Sequence, residues 1–409
     1  MLMLELKKML KTPVTLILIC AALFLSFLLA WLPVSFERTR ILTDDGLVIY
    51  EGADRIAYEK SVATVHGEIT VDTAKQALKA YQACLAKHGV QSENDLPEGV
   101  YNTEIGPWFR VLHAIREIYA DPKTGIPPDL AYMSVDNLDG FYQKRIERFE
   151  TLMEQEDWPE AVREKARLMY AQTNVPMEYY PYYNSNALDY ESFLFFLVMI
   201  CCTLIAAPVF AIDYQTGADD IMRCTKNGRL KLVLSKCGAT LLISILVFAA
   251  SAVIYGTLTR TFYGEESLQT DMQMMLSVFT LQNWTVGDTL LKVAIAGLLS
   301  CTAAVALTLL LSSRFKSSGI AIGAAILCGI LPLILDTLMG SKLMDWVCSI
   351  IPSGGLCLTK SFYYAVFDMA FLMAKNFAIP TTQGLILFAA LEIPLFLLLT
   401  MWSYQKGIK

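Results

Sequence analysis

Long apolar runs without a charged residue dominate this chain of 409 residues. Five such runs of 19 to 25 residues, and a sixth interrupted only by Glu392, follow one another along the sequence. Because about 20 apolar residues cross the hydrocarbon core of a bilayer as a helix, each run predicts a membrane-spanning helix. The predicted spans cover residues 12–34, 191–212, 237–259, 293–313, 317–335 and 381–403.

Residues 35–190, between the first two predicted spans, have the pattern of a water-soluble domain instead. Apolar residues recur there every three or four positions over Asp72–His88 and Ile105–Ala120, as they do in amphipathic helices. Asp157 begins a capping-box pattern in front of a further helix over Ala161–Gln172. Segments rich in proline and glycine separate these pieces. We therefore predict a compact, mainly α-helical domain.

Composition supports this division of the chain. Only 18% of the residues are charged, against about 25% in soluble proteins. Residues 33–190 contain 16 Lys+Arg against 26 Asp+Glu, whereas the remainder contains 17 against 13. These values exclude a soluble enzyme, a disordered tail and a nucleic-acid-binding protein, which would need a basic face. An integral membrane protein remains.

Lysine and arginine in the short connections predict the orientation of the spans. If the N-terminus is cytoplasmic, the cytoplasmic segments hold 12 Lys+Arg. The two external connections over 260–292 and 336–375 are longer in total but hold only 5. We therefore expect an all-α polytopic membrane protein with both termini inside and the 35–190 domain extracellular. The predicted cytoplasmic parts are an interfacial helix over 1–11, a loop over 213–236, a turn over 314–316 and a tail over 404–409. The other predicted external parts are a connection over 260–292 and a re-entrant segment over 336–380.

Cysteine and histidine residues do not predict a bound metal or a disulfide framework. Cys84 alone lies in the 35–190 domain, and Cys348 and Cys357 are close enough in the external segment to form one pair. A metal site needs ligands at clustered spacing, and His113 with Glu117 at helical spacing is the nearest approach. We interpret that pair as a surface interaction and predict neither a metal nor another cofactor.

The sequence also lacks the motifs of enzymatic chemistry. It contains no G-x-x-x-x-G-K-[ST] loop for ATP, no H-E-x-x-H and no G-x-S-x-G, so we expect no catalytic activity. The charge-free runs offer no group for ion coupling except Glu392, two residues before Pro394. Glu392 either hydrogen-bonds a neighbouring helix around the proline or lines a substrate path, and the sequence leaves both readings open.

The segment from Asp213 to Lys236 carries the most informative pattern. Gly217 is suited to end the second helix, a short helix over Ala218–Cys224 then follows, and Gly228 allows the next turn. Its basic side chains suit phosphate headgroups of membrane lipids. Composition alone describes an ordinary basic loop of the positive-inside kind equally well.

In order and spacing, Asp213, Gly217, Gly228-Arg229 and Lys236 resemble the coupling region of permease subunits of type-2, exporter-class ATP-binding-cassette transporters. That family has an acidic residue just after the second span, then a glycine, a short coupling helix, a Gly-Arg or Pro-x-Arg step and a lysine that opens the third span. The acidic residue is more often glutamate in the family, so Asp213 departs conservatively from its pattern.

The resemblance extends beyond this loop. Leu311–Ser318 resembles the family's turn between spans four and five, Lys342–Ile379 its re-entrant helices, and Met1–Lys11 its leading interfacial helix. The string Thr225–Arg229 is similar to that of a bacterial subgroup with a large extracellular domain after the first span. The resemblance therefore covers most of the chain outside the 35–190 domain.

What the resemblance implies is a non-catalytic subunit in a bacterial cell membrane. Two permease subunits, identical or paralogous, would form the path, and a separate ATPase subunit would dock on the 213–236 loop. The cargo stays open among peptides, drugs, lipids and ions. A membrane-anchored sensor or assembly factor that acts through its acidic domain is the alternative. The residues implied in ATPase coupling are Asp213, Gln215, Thr216, Gly217, Asp220, Arg223, Arg229 and Lys236, with Glu392 as the candidate for the substrate path.

Overall fold

The computed structural model describes residues 1–44, 46–156, 158–224, 229–339, 342–374 and 377–406. The protein is mostly helical, at 72%, in agreement with the predicted fold class. Over the described residues, six helices are long and apolar enough to cross a membrane, which is the architecture of a multi-pass membrane protein. These spans are Pro13–Ser35, Asn186–Thr216, Leu230–Tyr263, Val286–Ser312, Ser318–Leu338 and Thr381–Lys406.

The α-helices and strands of the described chain are named in sequence order. The helices are α1 (Leu2–Leu10), α2 (Pro13–Ser35), α3 (Gly52–Val62), α4 (Val71–His88), α5 (Phe109–Ile118), α6 (Phe141–Gln155), α7 (Glu160–Tyr170), α8 (Asn186–Ala206), α9 (Pro208–Thr216), α10 (Ala218–Arg223), α11 (Leu230–Tyr263), α12 (Met272–Met275), α13 (Val286–Ser312), α14 (Ser318–Met339), α15 (Lys342–Ile350), α16 (Phe362–Phe367) and α17 (Thr381–Lys406). Three antiparallel hairpins or bridges pair β1 (Arg38–Thr43) with β2 (Gly46–Glu51), β3 (Gly67–Glu68) with β4 (Glu178–Tyr179), and β5 (Phe371–Ala374) with β6 (Phe377–Pro380).

Several spans are longer than the charge-free runs that predicted them. The second span, formed by α8 and α9, continues through Asp213, and α11 begins before Lys236. The helix α9 ends at Thr216 and α11 begins at Leu230, so both ends of the loop predicted over residues 213–236 lie inside helices. Each charge-free run that predicted these spans ends at a charged residue, but a charge that finds a partner does not end a helix.

The bundle has a centre and a periphery. Two thirds of the most apolar part of the second and fourth spans is buried, against 22 to 28% in the first, fifth and sixth. In α13 the small residue Gly297 allows this close packing, since a Cβ there would lie 2.9 Å from the ring of Phe248. Small residues at such contacts let helix backbones approach within a membrane. The span α13 is therefore the axis on which α8, α11 and α17 pack.

A globular domain, formed by residues 36–185 together with 264–285, lies at one end of this bundle. Its hydrophobic core holds residues of α4, α5, α6 and α7, and also Val278, Phe279 and Phe371. The sequence assigned the last three to separate connections over 260–292 and 336–380. No helix or strand was predicted around Val278 and Phe279, and Phe371 lies in β5 of a segment where only helices were expected, so only the tertiary structure shows that these residues complete the domain.

Within the globular domain the strongest sequence signals were right. The helix predicted over Asp72–His88 is α4, which begins with a Thr70–Thr73 capping box and ends at Gly89. The helix predicted over Ile105–Ala120 is shorter, because irregular turns around Pro107 precede α5. Asp157, the predicted cap of α7, lies outside the described residues. The helices α3 and α6 and the β1–β2 hairpin were not predicted.

The segment before the sixth span packs against the bundle through α14 and α17. It contains α15, α16 and the β5–β6 hairpin, so strands occur where only helices were expected. Gly355 packs against α13 so closely that a Cβ would lie 2.1 Å from Ser300 Oγ. Cys348 and Cys357 are both buried and free, and the disulfide considered from the sequence is absent.

Candidate functional site

The end of the bundle opposite the globular domain collects most of the predicted coupling residues. We call it the α10 end; it comprises α1, the last turn of α9, α10, the first turns of α11 and the connection between α13 and α14. Gly217 ends α9 and begins α10 in the left-handed region, at φ 72°. A residue without a side chain adopts this conformation at least cost, which explains the glycine at this position.

Asp213 and Lys236 form an ion pair inside the α10 end. Their side chains are only 7% and 1% exposed. The Lys236 ammonium also donates a hydrogen bond to the Val209 carbonyl at 2.7 Å, and it lies 5.2 Å from the centre of the Phe210 ring. A buried charge is tolerated when it is paired and hydrogen-bonded, as here. The pair therefore locks the second span to the third.

A second cation reaches the same carboxylate from α1. Lys8 Nζ lies 3.3 Å from Asp213 Oδ1, and the Lys8 side chain is 56% exposed. The helix α1 presents an apolar side to the bundle, where Leu6 and Met9 pack against the core. Asp213 thus joins three elements of the chain through one carboxylate.

Hydrogen bonds extend this connection to the fourth and fifth spans. Gln215 Oε1 accepts a hydrogen bond from Ser318 Oγ at 2.8 Å, at the start of α14. Ser312 Oγ, at the end of α13, accepts from the backbone N–H of Phe210 at 3.0 Å. Thr216 is more local, since its hydroxyl donates to the Ile212 carbonyl of its own helix. The last turns of α9 are therefore fixed to four other helices.

The short helix α10 and its flank face outward. Asp220 and Arg229 are exposed, and Ile221 exposes 75% of its surface although it is apolar. Arg223 is the last residue of α10, and its side chain is outside the described part of the protein. Thr225–Gly228, which carried part of the family resemblance, also lies outside the described residues.

Glu392 lines a cavity of about 390 Å³ between α13, α14, α15 and α17. The other lining residues are apolar or weakly polar, among them Leu307, Cys328, Ile351 and Leu391. Glu392 is 8% exposed, and no group in the described chain forms a hydrogen bond with its buried Oε2 atom. The structure thus gives no neighbour-helix hydrogen bond to that oxygen and places the carboxylate at a cavity wall.

A second cavity, of about 410 Å³, lies where the globular domain meets the spans. Tyrosine rings line much of it, including Tyr58, Tyr101 and Tyr182, and Glu37 contributes a carboxylate that contacts Arg55 and Asn184. Three lining tyrosines lie within Tyr179–Tyr183, but the sequence does not indicate that β1, α3 and α5 close a cavity around them.

The globular domain also brings together three side chains with metal-binding atoms. Cys84, His88 and Glu104 place one ligand atom each within 4.8 Å of the others. The Lys87 ammonium contacts the same carboxylate at 2.8 Å, and this hydrogen bond holds the pKa of Glu104 below its ordinary value. Cys84 is 3% exposed, and burial raises the pKa of its thiol to about 11.

No such group was predicted. The i, i+4 spacing of Cys84 and His88 is visible in the sequence, whereas the approach of Glu104 is not. By contrast, His113 and Glu117 do form the expected surface contact, with 3.9 Å between Nδ1 and Oε2.

Comparison with protein-family models and with curated proteins finds no match for this chain. The fold defines its class: a multi-pass α-helical membrane protein with a large globular domain at one end of six long apolar helices.

Proposed function

We propose that this protein is the permease subunit of an ATP-driven exporter and that a separate ATPase subunit docks on its α10 end. The observation that carries the proposal is the buried Asp213–Lys236 pair directly beside an exposed short helix. Asp213, Gly217 and Lys236 belong to the pattern that the sequence shares with permeases. In this proposal the N-terminus is cytoplasmic, the globular domain is extracellular and two permease subunits form the path.

The contacts of the α10 end are suited to transmit a movement. A force applied to α10 passes through Gly217 into α9, and the ion pair passes it directly to α11. Gln215 and Ser312 carry it into α14 and α13. Because buried ion pairs and packed helices do not deform continuously, the spans would move as rigid bodies, which is how domain-closure transitions operate.

The surface of α10 is suited to a protein partner. Ile221 is an exposed apolar side chain, and the neighbouring Asp220 is an exposed carboxylate, whereas Asp219 of the same turn is buried. A central apolar contact surrounded by polar groups is typical of protein interfaces. ATP-driven closure of the ATPase pair would pull on this contact.

The cavity beside Glu392 supports a substrate route along α13, α14 and α17. Its apolar lining would accept the hydrocarbon part of a cargo, and the carboxylate would accept a hydrogen bond or pair with a cation. Within the candidate cargoes, an amphiphile with a basic or hydrogen-bond-donating group fits this cavity best.

Purification of the tagged protein from its native membrane in mild detergent tests the docking proposal. We expect a stoichiometric ATPase with nucleotide-binding motifs to copurify, and Ile221→Arg to abolish copurification. The matched control is Ile126→Arg, because Ile126 is 65% exposed in the globular domain. Absence of any ATPase from intact wild-type protein would contradict the proposal and favour the sensor alternative.

Glu392→Gln tests the substrate route. The substitution keeps the shape of the side chain and removes its charge, so we expect an altered cargo profile with little loss of thermal stability. Thr337→Val, at an exposed position of the neighbouring α14, is a control for nonspecific effects on the bundle. Unchanged turnover and cargo profile in Glu392→Gln would exclude Glu392 from the route.

A further inference from the structure

We propose that Cys84, His88 and Glu104 form a binding site for Zn²⁺ or a divalent transition metal of similar chemistry in the globular domain. The site is independent of the proposed transport function, since it lies in the globular domain and involves no residue of the α10 end. It rests on the convergence of three different ligand types at one point of the fold.

Two of the ligands are positioned by one helix. Cys84 and His88 lie one turn apart in α4, so their side chains project from the same face. The helix continues to His88 and ends at Gly89, which has φ 66°. The third ligand, Glu104, belongs to the irregular turn Tyr101–Ile105 that packs beside this last turn of α4.

The distances are close to those of a zinc centre. His88 Nε2 and Glu104 Oε1 are 3.2 Å apart. Two tetrahedral ligands at ordinary zinc distances are separated by about 3.3 Å. All three ligand atoms lie within 4.8 Å of one another, so rotamer adjustments of about 1 Å bring the sulfur to its bonding distance. The site therefore needs no backbone rearrangement.

The ligand set selects the kind of metal. A thiolate and an imidazole favour zinc and related transition metals, whereas Mg²⁺ and Ca²⁺ prefer oxygen ligands only. Cys84 would bind as the thiolate and release its proton to solvent on binding. Three protein ligands leave a fourth position for water. His88 and Glu104 retain 20% and 29% side-chain exposure, which gives the ion a way in.

Lys87 distinguishes a metal site from an ordinary ion-pair cluster. Its ammonium occupies Glu104 Oε1 at 2.8 Å, where it competes with a cation. The Lys87 side chain is 64% exposed, so it is free to move away into solvent. If the cluster binds metal, removal of Lys87 strengthens binding. If the cluster serves only the ion pair, removal of Lys87 creates no metal affinity.

The test uses the full-length protein in detergent, stripped of metal with a chelator and titrated with Zn²⁺ in a calorimeter. We expect one equivalent to bind, and Cys84→Ser, His88→Ala and Glu104→Gln each to weaken binding on the order of tenfold or more. Lys87→Met should bind more tightly than wild type. His113→Ala, which alters the separate His113–Glu117 pair, should bind as wild type does.

Replacing Zn²⁺ with Co²⁺ gives a second measurement, which uses only the wild-type protein and so does not depend on whether a variant folds. A thiolate ligand produces a sulfur-to-cobalt charge-transfer band in the near ultraviolet, so wild-type protein should show it. A wild-type protein that binds no Zn²⁺, or that binds it equally in Cys84→Ser and His88→Ala, would overturn the proposal. A Co²⁺ spectrum without the charge-transfer band would also overturn it.

Discussion

Lys236 at the α10 end and Arg145 in the globular domain are both almost completely buried, but their positive charges are satisfied differently. Lys236 has an ion-pair partner, Asp213, and that carboxylate also binds Lys8 of α1. The hydrogen bonds of Arg145 end on uncharged oxygens: the carbonyls of Val278 and Asn174 and the hydroxyl of Thr173. Arg145 also lies over the ring of Tyr170, at 4.9 Å.

The different partners of the two cations correspond to the different parts of the protein that each one connects. Arg145 of α6 holds the 264–285 part of the globular domain against the 36–185 part through the Val278 carbonyl, which gives one fixed arrangement. The Asp213 carboxylate is shared by a buried and an exposed cation, so one of its contacts is able to break while the other persists. The first arrangement is suited to a static core, and the second to an end of the bundle that moves.

The largest effect is expected from breaking the buried ion pair. Lys236→Met leaves the Asp213 carboxylate buried with only Lys8 nearby, so we expect a loss of about 3–5 kcal/mol in stability. The double variant Asp213→Leu with Lys236→Met should recover most of this loss, because no unpaired charge remains. Thermal unfolding in detergent measures both, and a double variant less stable than either single variant would contradict the pairing.

The corresponding change in the globular domain should allow no such rescue. Arg145→Met removes three hydrogen bonds from a charged donor, and we expect a loss of about 3 kcal/mol. Arg145→Lys should be intermediate, since an ammonium cannot reach all three oxygens as the guanidinium fork does. Lys144→Met is the matched control, because Lys144 is 47% exposed and should change the unfolding temperature little.

Two glycines, one at the α10 end and one in the globular domain, allow a comparison in which a substitution has the same conformational cost at both positions. Gly217 and Gly125 have φ values of 72° and 70°, and no atom would contact a Cβ at either position. Alanine at each should therefore cost about 1 kcal/mol through the left-handed conformation alone. If α10 couples to an ATPase, only Gly217→Ala should also reduce stimulated ATP hydrolysis. Equal hydrolysis in the two variants would separate α10 from coupling.

The smallest effect concerns an exposed carboxylate in the loop that contains Gly125. The backbone and hydroxyl of Thr124, and the backbone N–H of Lys123, donate to Asp121 and lower its pKa below the ordinary 3.8. A lowered pKa in the folded state gives stability that is complete above pH 3.8 and is lost as the pH falls below it. The unfolding temperatures of wild type and Asp121→Asn should therefore converge in acid, and a constant difference would contradict this assignment.

Sequence patterns predicted the six long helices and α4, but neither the β-strands and the helices α3 and α6 nor the contacts between elements. Six apolar runs predicted six long helices, because the bilayer requirement is a property of each segment alone. The helix α4 was predictable for the same reason, from its own period and cap. Asp213 and Lys236 were both singled out, but as members of a loop, because a contact between residues on two helices requires knowledge of their packing.

The globular domain shows why the tertiary contacts could not be predicted from the sequence. Val278 and Phe279 lie in a segment with neither helical nor strand period, so nothing in their sequence indicates that Arg145 and Tyr170 bond to Val278. Glu104 meets Cys84 and His88 only because the chain between them turns back on α4. The cavity at Glu392 similarly requires four helices and cannot be derived from the one that bears the carboxylate.

The divided core of the globular domain has a consequence for biosynthesis. A nascent chain that has been translated as far as residue 190 contains Arg145 and Tyr170 but lacks the Val278 carbonyl that binds both. That carbonyl is made only after the second and third spans, and Phe371 of the same core only after the fifth, so the core stays incomplete until these spans have been synthesised. A fragment that stops at residue 190 should therefore be more sensitive to proteolysis than the same domain in the full-length protein.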